Sequence, residues 1–434
     1  MGVSRGSRRL LLVLTLVLVV TSSLTVLGAN KVTIKFFSNL PDRTAGQGRL
    51  EQLLIENYIK ANPGVEVKVE ALQDEPYKQK FRVYTAGNQL PDLFMVWGQP
   101  AFFDPIMKGG YAAELNKNDY KDYGFFEGAL DGFSMNGKLY GLARNTDLMV
   151  LYYNEKIFKD HKVKVPTTYD ELVTAIKAFR KAGITPIAQN GRDCWVLNIL
   201  YQDLVMKESG DPTLIYQALD QKVKFADHKH LLAAAQDLQA LINLGIFQDS
   251  FVAADYGAAR NLFGQEQAAM YYMGAWETGL AADENFSASF RNNVSVVPFP
   301  GMVGKGKGQA TDLMGWFGGG YAVSASSPVK AEAIKLLNYI MAPENWAKNA
   351  WQLGLVIPGQ KYDQFMTGQE NKLQIQISEI INQSTSFSGT PWNDAATPGF
   401  KVDSETLIQE FAAGMKTPQE FLRACDQAAQ KALN

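Results

Sequence analysis

The chain has almost no cysteine or histidine: two Cys and three His in 434 residues. Two widely spaced cysteines, Cys194 and Cys425, make no disulfide framework. Cys425 falls on the apolar side of a C-terminal helical pattern and reads as a buried thiol. The sparse histidines leave His228-Lys229-His230 as the one metal-like spacing, with no third ligand in the neighbouring sequence, so no metal or cofactor is expected. Excess charge of either sign is also lacking. Lys and Arg number 42 against 44 Asp and Glu, a net charge of −2. That balance argues against a nucleic-acid partner, which needs a basic surface. There is no internal repeat, no low-complexity segment and no long linker. A phosphate loop is absent as well: Gly301–Gly308 carries glycine where Ser or Thr would be required, and reads as a flexible basic loop.

Long apolar runs occur once, at the start. Arg5, Arg8 and Arg9 precede the apolar stretch Leu10–Val20, followed by Thr21, Ser22, Ser23 and the small pair Gly28-Ala29. This is the pattern of a secretory signal peptide over residues 1–29, cleaved near Ala29. Eleven residues are too few for a membrane-spanning helix, which needs about 20. Cleavage removes three arginines, leaving 39 basic and 44 acidic residues and a net charge of −5. The expectation is an exported soluble protein, periplasmic or extracellular, and no cysteine near the cleavage region offers a lipid attachment site.

The rest has the substance of a large globular protein: 46% hydrophobic, 20% charged and 11% aromatic residues, including seven Trp. Val32, Ile34 and Phe36 alternate with polar neighbours as in a strand. A helical stripe of Leu50, Leu53, Leu54 and Tyr58 follows and stops at Asn62-Pro63-Gly64. Val65, Val67 and Val69 alternate again, completing a βαβ unit that predicts parallel strands. Leu93–Trp97 reads as a buried strand ending at Gly98, and Ile184–Ala188 as a short strand. Thr168 with Glu171 and Thr417 with Glu420 form capping boxes, the second with Pro418 at the first helical position. Strands alternate with helices over the whole length, which predicts two α/β lobes.

The order of short signatures carries a resemblance. Ala86-Gly87 with Pro91-Asp92 stands before the strand ending at Trp97. Gly137–Leu142 precedes Leu151–Phe158, and Pro166–Leu172 opens a helix. Gly264–Met270 leads to Gly274-Ala275-Trp276-Glu277, and Thr417–Phe421 starts the last helix. In this order, from about residue 31 to 431, the chain resembles bacterial extracellular solute-binding proteins of family 1, the sugar-binding components of ABC importers. The resemblance implies a two-lobed, doubly wound α/β fold of the type II periplasmic-binding-protein kind, with several chain crossovers and a ligand cleft between lobes. It places residues 30–143 and 298–345 in lobe 1, and 146–294 and 346–434 in lobe 2. It implies a monomer that binds a sugar or oligosaccharide, delivers it to a membrane permease and catalyses nothing.

A sugar ring offers an apolar face and a rim of hydroxyls, so its site calls for aromatic platforms and planar hydrogen-bonding groups. Ligands of open α/β sheets sit beyond the carboxyl ends of strands. Trp97 and Gln99 follow one strand, Asn39 and Asp42 another, and Asp74 a third. Core packing is the rival explanation for Trp97, whose following glycine exposes backbone at a cleft, and turn chemistry the rival for Asn39 and Asp42. The resemblance adds Asn145 and Asp147 before the crossover strand, Asp193 and Trp195 after Ile184–Ala188, and Trp316 with Gly319 at a glycine-rich return. It also adds Trp392 and Asp394 as a late aromatic–acid pair. Trp276 is the leading single candidate, with Glu277 either accepting a hydroxyl or capping a helix. Gly98-Gln99-Pro100-Ala101 departs from the acid and arginine of maltose-binding relatives, so the sugar cannot be assigned from them. Two rivals stand beside this reading. A secreted glycoside hydrolase would use a pair among Asp147, Asp193 and Glu277. A binder of glycerol phosphate or another small anion would use Gly46-Gln47-Gly48-Arg49.

Overall fold

A computed structural model describes residues 31–302 and 308–434. The expected signal peptide, and residues 303–307 of the Gly301–Gly308 loop, lie outside the described residues. The elements that build the cleft are, in chain order, β1 (Val32–Ser38), α1 (Gly46–Ala61), β2 (Val65–Ala71), α2 (Asp74–Ala86), β3 (Leu93–Trp97), β4 (Leu142–Ala143), β5 (Asp147–Asn154), β6 (Thr185–Ala188), α3 (Trp195–Ser209), α4 (Tyr256–Gly264), β7 (Ala268–Gly274), β8 (Val294–Val297), β9 (Gly315–Trp316), β10 (Gly319–Val323) and α5 (Pro398–Ala412).

Two separate sheets organise the chain. The first runs β2-β1-β3-β10-β4. Here β1 is parallel to β2 and β3, as the βαβ pattern predicts, while β10 returns antiparallel between β3 and β4. The second runs β8-β5-β7-β6, and β9 pairs separately with β5. The apolar periodicity finds its partners on these sheets. Ile34 and Phe36 of β1 and Leu50, Leu54 and Tyr58 of α1 are buried in one core, with Phe94, Tyr321 and Trp346. A second core joins Val150, Tyr152, Met270 and Tyr272 to Leu197, Leu200 and Phe421. β7 is buried at every residue, which explains its continuous apolar run: it is a central strand between β5 and β6 with both faces covered.

The caps behave as local chemistry dictates. Thr417 and Glu420 form a reciprocal box at the last helix. Thr168 accepts from the Glu171 amide, but the Glu171 carboxylate reaches the Thr167 amide rather than that of Thr168. Cys194 and Cys425 are buried and free.

Two expected lobe assignments are corrected. Phe299, Met302, Leu313 and Met314 pack in the second core, and β9 pairs with β5, so the stretch from 298 to 316 belongs with the second sheet rather than the first. Conversely, Trp346, Ala350, Leu355 and Val356 pack in the first core, while Ala347, Trp351 and Ile357 pack in the second. The segment after 346 therefore straddles both cores. Its continuation bonds to the crossover between β4 and β5: the Thr146 amide donates to the Ile357 carbonyl at 3.0 Å, and the Gly359 amide to the Arg144 carbonyl at 3.0 Å. The Trp346 indole N–H donates to that same Arg144 carbonyl at 2.6 Å. Segments 142–147, 315–319 and 355–360 thus run side by side between the sheets, immediately beneath the cleft.

Candidate ligand-binding cleft

Between the two cores lies a cleft of about 380 Å³, within the range of small-molecule sites. The structure brings most of the sequence candidates to its wall. Asn39, Asp42, Asp74, Trp97 and Gln99 line it from the first lobe, Asn145, Asp147, Trp316 and Gly319 from the crossovers, and Trp195, Trp276, Glu277 and Asp394 from the second lobe.

The local reason for the Trp276 position is Gly274. β7 ends there and a 3₁₀ turn, Ala275–Ala282, begins. The Trp276 ring folds back over Gly274 so closely that a Cβ on that residue would lie 2.1 Å from it. Trp276 then meets Trp195 at 5.9 Å and Trp316 at 6.1 Å between ring centroids, and Trp195 stacks on Tyr256 at 6.5 Å. Four aromatic side chains from four separate segments make a continuous wall on the second-lobe side. On the opposite lobe Trp97 is half-buried, with Phe102 edge-on at 5.1 Å and the Lys78 ammonium 4.9 Å from its ring centroid.

The polar groups between these surfaces are few and enclosed. Asp147 begins β5 and accepts from the Gly319 amide at 3.3 Å through Oδ2. Burial pushes its carboxyl up to about 6, against the pull of the Arg144 guanidinium and the Gly318 and Gly319 amides. Four buried atoms here find no hydrogen-bond partner among the described residues: Asp147 Oδ1, Asn145 Oδ1, Trp316 Nε1 and Arg144 Nε. Two accept and two donate, and buried polar groups left alone are costly. Asn145 is otherwise fixed by Gln47, donating to its Oε1 at 3.1 Å, and Gln47 in turn reaches the Trp276 carbonyl at 3.4 Å. Arg144 donates to Asn39 at 3.2 Å and lies 3.6 Å from the fully buried Glu51.

Several candidates are engaged by the protein itself. Both Glu277 oxygens are taken, one by the Tyr256 hydroxyl and one by Arg260 Nε at 2.9 Å. Arg260 also holds Asp283 at 2.7 Å. Burial works against the Arg260 charge, and Glu277 and Tyr256 outweigh it, so the guanidinium is held firmly protonated. Asp42 Oδ1 accepts from the Thr44 hydroxyl and from the Thr44 and Ala45 amides, and these bonds hold its carboxyl below the usual range. Asp394 pairs with Lys401 at 2.9 Å.

Two candidates are corrected. Trp392 is fully buried, packed among Tyr201, Phe225 and Phe400, and its indole N–H donates to the Asn198 carbonyl at 3.0 Å. It is a core tryptophan, because α3 and α5 close over it. Asp193 is not among the cleft-lining residues and accepts from the Tyr256 amide at 2.8 Å, anchoring the start of α4. Residues missed from the sequence include Arg144, Arg260 and Tyr256, each placed on the cleft by contacts distant in the chain, and Gln47, named only for a small-anion site, lines it too. A carboxylate beside Trp276 was the one available hint of a cationic partner such as Arg260. No cluster of three or more His, Cys, Asp or Glu that could hold a metal ion occurs among the described residues, and no helix there is long and apolar enough to cross a membrane.

With this geometry in view, the comparison with known proteins is direct. The family profile described as bacterial extracellular solute-binding protein matches residues 54–372. The chain belongs to this family. Within it, the chain is 26% identical over 251 residues to the multiple sugar-binding protein of Streptococcus mutans serotype c, a match covering 57% of this chain and 58% of that relative. The chain thus spans little more than half the length of that curated relative. Among solved structures, one from work on xylan utilization by the thermophilic bacterium Caldanaerobius polysaccharolyticus superposes with a TM-score of 0.82 at 28% identity, covering 92% of this chain and 100% of the other. A chitin oligosaccharide binding protein superposes with a TM-score of 0.81 at 24% identity, covering 93% and 99%. The two-lobed solute-binding fold is therefore the fold of this chain.

Proposed function

We propose that this protein is the extracytoplasmic substrate-binding component of a carbohydrate ABC importer. It captures a sugar or oligosaccharide between its lobes by hinge closure and presents it to a membrane permease. The observation that carries the reading is the pairing of aromatic surfaces on both walls with four enclosed polar atoms that lack partners, two donors and two acceptors. A carbohydrate hydroxyl both donates and accepts, and a pyranose face stacks on an indole. The sugar-binding relative and the saccharide-linked structural neighbours support the same class. An exported, monomeric protein with a cleaved signal peptide fits this role.

A small anion is a poorer fit. Every cation on the cleft wall already has a carboxylate partner within 4 Å: Lys78, Lys401, Arg260 and Arg144. A hydrolytic role is also less well supported, because Glu277 is committed to Tyr256 and Arg260 and Asp193 to the α4 start. The test is calorimetric titration with xylotetraose, chitotetraose, maltotriose and glycerol 3-phosphate, with chromatography of each mixture. Stoichiometric binding of an uncharged saccharide without products is the expected result. Turnover, or binding of glycerol phosphate alone, would replace the proposal.

A further inference from the structure

The aromatic surfaces of the two lobes are joined by a polar chain. Trp195, on second-lobe α3, donates its indole N–H to Asp74 Oδ2 at 2.9 Å, and Asp74 opens first-lobe α2. The bond therefore exists only while the lobes are together. Asp74 Oδ1 lies 2.9 Å from the Lys78 ammonium, which also reaches Glu75 at 2.6 Å and sits against the Trp97 ring. Asp74 has a φ of +23°, a conformation that L-residues rarely adopt. Such conformations persist where surrounding contacts hold them and gather at ligand clamps. Here the helix start is bent to carry one carboxylate toward the other lobe.

Building on the carbohydrate-binding reading, we propose that Asp74 and Lys78 are positioning residues. Lys78 seats Trp97, and Asp74 fixes the Trp195 indole on closure, so that the two platforms are set against the bound saccharide. The physical basis is simple. An indole ring turns about two side-chain torsions, and a hydrogen bond from Nε1 to a carboxylate removes that freedom. Both oxygens of Asp74 are occupied by protein groups, so its part is to orient the platform. Lys78 is buried; desolvation opposes its charge, and Asp74, Glu75 and Glu405 outweigh it, keeping the ammonium available to both Trp97 and Asp74. Because the link forms on closure, its loss acts on the departure of the ligand rather than on encounter.

The test is stopped-flow fluorescence with xylotetraose and chitotetraose on D74A, D74N, W195F and the D74A/W195F double variant, with circular dichroism to verify folding. D74A and W195F are each expected to raise the dissociation rate about ten-fold, with association changed less than about two-fold. The double variant is expected to be no worse than either single one. D74N retains an oxygen that accepts the indole N–H and is expected to stay within about three-fold of the unaltered protein. Additive losses, a D74N defect equal to that of D74A, or a change confined to association would overturn the inference. If the unaltered protein binds neither tetrasaccharide, those probes fail the carbohydrate reading. The positioning link is then decided by the same cycle on urea unfolding of the ligand-free protein, where non-additivity supports it and additivity overturns it.

Discussion

The guanidinium of Arg260 grips Glu277, with Nε 2.9 Å from Oε2, while its Nη2 holds Asp283 at 2.7 Å. This clamp fastens α4 to the turn that carries Trp276, so the carboxylate beside the central tryptophan supports the wall. Replacing Glu277 by Ala leaves the partly buried Arg260 guanidinium with Asp283 alone and strands the Tyr256 hydroxyl. The expected loss is about 2–3 kcal/mol of stability, read as a lower urea midpoint at unchanged slope. E277Q keeps an acceptor and is expected to lose less.

Trp276 and Trp392 make opposite predictions. Trp276→Ala removes a cleft surface and is expected to weaken saccharide binding about ten-fold or more, with the protein still folded. Trp392→Ala opens a cavity in the second core and is expected to cost about 3–5 kcal/mol of stability, with binding following only through folding. Calorimetry and thermal unfolding on both variants check the contrast; equal effects on binding at equal stability would contradict it.

Asp147 gives a pH signature. Its folded value of about 6 stands above its ordinary 3.8, so between these values the folded state holds the extra proton. Stability from this group is therefore highest at low pH and falls as pH rises from about 4 to about 6, by up to roughly 3 kcal/mol, then levels off. D147N lacks this titration. The stability of D147N relative to the unaltered protein is expected to rise by that amount across the window, measured by urea unfolding at a series of pH values. A constant difference would show that Asp147 is not desolvated as its position requires.

Gly318 sits between the unpaired Trp316 Nε1 and the carboxylate of Asp147. A Cβ there would lie 2.5 Å from Trp316 Nε1 and 2.7 Å from Asp147 Oδ2. Gly318→Ala is expected to push the indole and carboxylate apart and weaken binding about ten-fold. Titration calorimetry beside thermal unfolding tests this.

Much of the architecture was legible from the residues. Alternation in Val32–Phe36 and Val65–Val69, with the Leu50–Tyr58 stripe between them, specified strand, helix and parallel strand because side-chain period follows backbone geometry. The glycine after Val96-Trp97 and the one before Ala275-Trp276 marked strand ends, and in a two-sheet α/β protein strand ends border the cleft. The lobe assignment of the stretch from 298 to 316 was not legible, because pairing of Gly315-Trp316 with β5 is a long-range choice between two sheets that short extended segments do not encode.

The site divides the same way. By itself the sequence determined which residue types were available at strand ends, and the glycine that lets Trp276 fold back. Only the tertiary structure decided that Trp276 faces the cleft while Trp392, also beside a polar residue, is sealed in the core. It also decided that Glu277 answers to Arg260, and that Asp74 of one lobe meets Trp195 of the other. The reason is physical. Local periodicity fixes which face of an element is apolar, but whether that face meets core or cleft depends on elements brought up from hundreds of residues away.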